Sequence, residues 1–72
     1  MKHTDLIRAL RKLARERGLD LKDGGGANHE KWLAGGATAI VPRHKEIGER
    51  LARKIIKDFR DDLAHLEEDE ES

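Results

Sequence analysis

Apolar residues recur at helical spacing near both ends of this chain and alternate with polar ones between. Leu6, Ile7, Leu10, Leu13 and Ala14 share one side of a helix over residues 5–17, with Arg8, Arg11, Lys12 and Arg15 on the other. Thr4 stands where an N-cap is expected, Asp5 puts negative charge in the first turn, and Gly18 is placed to end the helix at positive φ. Ile47, Leu51, Ile55 and Phe59 fall four apart, and Ile56 widens the stripe, which predicts a second helix from about Glu46. It continues toward Leu63 and Leu66 and meets Glu67-Glu68-Asp69-Glu70-Glu71, a like-charge run expected to be disordered.

The middle of the chain reads as strands. Leu19-Asp20-Leu21-Lys22 alternates as a short half-buried strand does, and Gly24-Gly25-Gly26 then breaks regular structure. Residues 28–33 and 37–41 form two further strands, joined by a hairpin whose Gly35 and Gly36 permit positive φ. Pro42 ends the third strand because it has no N–H to donate. The order is α-β-β-β-α, an α+β fold: a three-stranded antiparallel sheet with both helices packed on one face. Alternation sends Trp32 and Glu30 toward the helices and leaves His29, Lys31 and Leu33 on the open face. In the third strand Ile40 is expected inward, with Ala39 and Val41 outward.

At 72 residues the chain makes one domain, residues 1–60, followed by an acidic segment, 61–72, that is either helix extension or disordered. Its large apolar residues fill a single two-layer core and leave none for a deep cavity, so any site is a surface or a shallow groove. There is no cysteine, hence neither disulfides nor thiolate metal sites. No run approaches the roughly 20 apolar residues of a membrane span, and the start lacks a secretory signal. A cytoplasmic protein that does not meet membranes is expected.

The zero net charge hides an asymmetry. Residues 1–57 hold 14 Lys and Arg against 7 Asp and Glu, whereas residues 58–72 hold only Arg60 against 8 acids. A body at +7 suits a polyanion, of which nucleic acid is the usual one. The same composition also serves a merely solvated surface. The acidic segment either folds back over the basic face or acts as a solubilising tail.

The candidate chemistry lies in Gly26-Ala27-Asn28-His29-Glu30-Lys31 and in Val41-Pro42-Arg43-His44. Histidine titrates nearest neutral pH, so it can act as base or acid. RNA carries its own nucleophile, the 2′-hydroxyl. Cleavage needs a base for that proton, an acid for the leaving 5′-oxygen, and cations to offset charge on the phosphoryl group. His29 serves as that base or that acid, with Lys31 or Arg43 holding phosphate and Gly26 allowing close backbone approach. His44 is a candidate for phosphate binding or for the second proton. His3 and His65 sit in terminal segments without supporting neighbours and read as incidental. The four histidines match no compact metal-ligand spacing, and no Gly-Lys-Ser/Thr follows the glycines as a Walker loop requires. Neither metal nor cofactor is expected. Trp32 is assigned to the core rather than to base stacking.

Those two segments, with the opening helix ending in Gly18-Leu19 and the helix from Glu46 to Phe59, resemble the HicA toxins of toxin–antitoxin pairs over residues 4–60. The resemblance implies a fold like that of double-stranded-RNA-binding domains. It also implies an mRNA interferase that cuts mRNA through a histidine in a Gly-Ser-x-His type motif. Gly26 and His29 take the matching positions, with Ala27 in place of the serine. The implied partner is a HicB-like antitoxin, and no direct contact with DNA is implied. A non-catalytic RNA-binding module of the same fold is the competing expectation, since a basic helix suffices to hold RNA by shape and backbone.

Overall fold

The computed structural model describes residues 1–26 and 29–71, with side chains described through Leu66. Its elements are α1 (His3–Glu16), β1 (Lys22–Asp23), β2 (His29–Ala34), β3 (Ala37–Pro42) and α2 (Glu49–Glu71). The fold is α+β in the order α-β-β-β-α, with one antiparallel sheet ordered β1-β2-β3. Both helices bury their apolar stripes against the same face of that sheet.

α1 starts at His3 rather than after Thr4, and Lys2 at its N-cap makes no side-chain cap. The earlier start has a tertiary cause. The first residues pair with the segment before α2: the His3 amide donates to the Lys45 carbonyl at 2.9 Å and the Ile47 amide to the Met1 carbonyl at 2.8 Å. Because residues 45–47 are used in that short ladder, α2 begins at Glu49 instead of near Glu46. α1 ends as expected at Gly18, whose φ is +72°. The Gly18 amide donates to Arg15 and the Leu19 amide to Ala14, the paired bonds of a Schellman motif. That cap takes Leu19, so β1 is confined to Lys22–Asp23 rather than spanning 19–22.

The β2–β3 hairpin turns on Gly35 and Gly36, with positive φ at the first position alone (+58°), the sign pattern of a II′ turn. The register pairs Glu30 with Val41, Trp32 with Ala39 and Ala34 with Ala37. Directly opposed residues share a face, so Ala37, Ala39 and Val41 are the inward residues of β3. The expectation for this strand was inverted: Val41 is fully buried, while Ile40 is 51% exposed on the open face. Both parities of Ala37–Val41 carry apolar residues, and two small alanines let α2 lie close across the strand.

The stripe of α2 is Ala52, Ile55, Phe59 and Leu63. Leu51, expected inside, turns outward, and Ala52 takes its place under the neighbouring elements. The helix runs unbroken through residue 60 and on to Glu71, past the point where disorder was expected. Burial of Leu63 and the seating of Leu66 against Gly35 and Gly36 hold that extension to the hairpin. A Cβ at Gly36 would come within 2.8 Å of Leu66 Cδ2, the end of a side chain that can turn aside, so Gly36 marks how closely Leu66 packs on the hairpin.

The helices therefore run parallel. Both start at the end of the sheet that carries His29 and Pro42, and both head for the hairpin end. The positive ends of two helix dipoles meet at the first end, and the acidic run of α2 leaves from the second.

Candidate nucleic-acid interface

β2 delivers its side chains by alternation. His29 and Lys31 are exposed on the open face, opposite Pro42 and Ile40 of β3. Leu33 and Thr38 complete that face toward the hairpin, half-buried. It is an open surface bearing an imidazole, an ammonium group and one prominent apolar side chain, Ile40.

The glycine loop before β2 is held in place more firmly than a flexible linker. The Gly24 amide donates to the Lys31 carbonyl at 2.6 Å, and the Lys31 amide donates to the Gly25 carbonyl at 2.9 Å. Two glycines thus oppose one residue, as in a bulge. The Asp23 carboxylate accepts from the Gly25 amide at 2.8 Å. Gly26 has φ +124°, and a Cβ there would collide with the His29 carbonyl oxygen, so only glycine fits. Ala27 and Asn28 lie outside the described residues.

Arg43, expected to hold phosphate, donates from Nη2 to the Gly26 carbonyl at 2.7 Å. One arm of the guanidinium thereby ties the end of β3 to the loop before His29. The side chain is exposed and keeps further donors for a ligand. Gly26 and Arg43 are thus brought together, and both sit at the His29 end of the sheet.

His44 goes elsewhere. It lines a groove of about 660 Å³ on the helix side of the sheet, with Lys2, His3, Glu30, Arg43 and Lys45. His29 does not line this groove. The two histidines proposed as one base and one acid are therefore served by different surfaces, with Arg43 between them.

The groove also gathers a residue that sequence reasoning set aside. His3 Nε2 lies 2.8 Å from Glu30 Oε2, and Trp32 Nε1 donates to Glu30 Oε1 at 3.1 Å. The His3–Glu30 contact is off the line of the ring N–H and so is a close approach rather than an aligned hydrogen bond. Glu30 is on the inward face, where a carboxylate without a partner is costly. The indole supplies a hydrogen-bond donor to one oxygen, and the imidazole lies against the other. A signal for this pair existed in the sequence: alternation placed Glu30 inward, which demanded a polar neighbour from a helix.

Among the described residues, no group of three or more His, Asp or Glu side chains is placed to hold a metal ion. No helix among them is long and apolar enough to cross a membrane. No protein-family model, no curated protein and no solved structure matches this chain.

Proposed function

We propose that the protein is an endoribonuclease, the toxin of a HicA-like toxin–antitoxin pair, and that it cuts mRNA through His29. What supports this most is the exposure of His29 on the uncovered sheet face, with Lys31 two positions along on the same side. The α-β-β-β-α order is that of the fold the resemblance implied.

In this mechanism RNA lies across the open face with a phosphate against Lys31. His29 takes the 2′-hydroxyl proton, the 2′-oxygen attacks phosphorus, and the P–O5′ bond breaks. The products are a 2′,3′-cyclic phosphate and a 5′-hydroxyl, the leaving oxygen taking its proton from solvent at this open surface. Lys31 offsets the charge that builds on the phosphoryl oxygens. Arg43 steadies the loop that carries His29 and offers its remaining donors to the next phosphate. His44 contacts the chain beyond the strand end and not the scissile bond. Neither a metal nor a cofactor takes part, and the setting is cytoplasmic. A HicB-like antitoxin would cover the open face, with Ile40 as an apolar anchor inside a rim of charge.

The test is purified protein on RNA and on the same strand built with 2′-deoxyribose. Cleavage of the first to cyclic-phosphate ends, with the second intact, is expected; equal cutting of both overturns the mechanism. One observation favours a non-catalytic RNA-binding module instead, namely that among the described residues no second imidazole shares the His29 face. In that case both strands bind with steep salt dependence and neither is cut.

A further inference from the structure

We propose that the groove on the helix side, beside the open face, is a nucleotide subsite that reads a base by its amino group. It rests on the RNA-directed function above and adds a specificity pocket to it. The groove holds about 660 Å³, within the range of roughly 300–1,000 Å³ usual for small-ligand sites. Its rim is mostly basic: Lys2, Arg43, His44 and Lys45 are exposed around it, and the one exposed acid there, Glu46, lies 3.6 Å from the Met1 ammonium group. Glu30 and His3 are half-buried within it, with side chains 19% and 22% exposed.

A phosphate is repelled by the Glu30 carboxylate and drawn to the outer cations, and the N-terminus of α1, which lines the groove, adds positive potential there. A nucleobase meets the opposite arrangement. Glu30 Oε1 takes the Trp32 indole N–H and Oε2 faces His3, yet an ionised carboxylate has about four lone-pair sites in all. The remainder can accept from an exocyclic amine, as carboxylates do with cytosine N4. His3 presents Nε2 to Glu30, and its ring forms one wall. Cytidine, adenosine and guanosine nucleotides carry such an amine; uridine presents carbonyl acceptors in its place.

Arg43 connects the two surfaces. It lines the groove and also bonds the loop that leads into His29. A chain cleaved at His29 therefore passes this side chain on its way into the groove. The groove seats a flanking nucleotide and not the reacting ribose, because His29 and Glu30 are neighbours on a strand and point to opposite faces.

The experiment is a nitrogen-15 NMR titration of the full chain with each of the four nucleoside 3′-monophosphates and with inorganic phosphate. The expected result is amide shifts at His3, Glu30, Arg43 and Lys45, several-fold tighter for the amine-bearing nucleotides than for uridine monophosphate or phosphate. Glu30→Gln, which keeps an acceptor for the Trp32 indole, should erase most of that difference. Equal shifts from phosphate alone, or shifts confined to residues outside the groove, overturn the proposal. Because no cleavage is measured, a protein that fails to cut RNA can still pass. Conversely, a protein that cuts RNA can fail the titration, which removes the subsite and leaves the nuclease.

Discussion

Replacing Gly26 by alanine tests whether the loop before His29 is built as described. At φ +124° an L-residue is strained, and the new Cβ would run into the His29 carbonyl oxygen. That neighbour is backbone, so no side-chain rotation relieves the clash. A non-glycine residue held in such a region costs about 1–3 kcal/mol. Losing the surface hydrogen bond from Arg43 to the Gly26 carbonyl adds at most about 1 kcal/mol. The loop lies at the end of the sheet and can shift to shed part of the strain, which leaves about 2 kcal/mol. A chain of 72 residues has roughly 4–11 kcal/mol of stability in all, so the loss is substantial. At about 4–8 °C per kcal/mol for a domain this size, the melting midpoint should fall by about 8–16 °C. Far-UV circular dichroism during heating measures it, and RNA cleavage at low temperature reads the displacement of His29. An unchanged midpoint together with unchanged cleavage would refute the reasoning, since the loop would then not be held at this φ.

Three further outcomes follow from the packing. Phe59 is the largest fully buried side chain, and Phe59→Ala should cost about 3–5 kcal/mol, leaving little folded protein in a urea titration. Glu30→Leu should strand the Trp32 indole N–H and cost about 1 kcal/mol, whereas Glu30→Gln, which keeps an acceptor, should melt close to the parent; tryptophan fluorescence follows both. Truncation after Leu66 should leave RNA affinity at physiological salt unchanged. Leu66 sits at the hairpin, one strand length from His29, about 17 Å by strand rise against a screening length of about 8 Å. Tighter binding by the truncated chain would revive the fold-back of the acidic segment.

Much of this architecture was legible because two stripes of helical period flank an alternating stretch, and few folds bury both. Where reading failed, it failed for identifiable causes. β3 has apolar residues at both parities, so alternation alone could not choose between Ile40 and Val41 as the inward residue. The choice is made by α2, which needs the small Ala37 and Ala39 beneath it. The starts of both helices moved because Met1–His3 pair with Lys45–Ile47, a contact across more than forty residues that no local window contains. Leu51 looked like core through its spacing with Ile55, yet α2 is rotated so that Ala52 is inside. At the candidate site, the exposed placement of His29 and Lys31 followed from Trp32 facing the core. The groove did not follow, because His3 and Glu30 meet only once α1 is laid over β2.

The most direct measurement is RNA cleavage by purified His29→Ala compared with the parent, each checked for native circular dichroism. Loss of cutting by at least two orders of magnitude, with RNA binding and fold retained, is what the account predicts. An alanine variant that cuts RNA as fast as the parent would contradict it, and the imidazole on the open sheet face would then have no part in the chemistry.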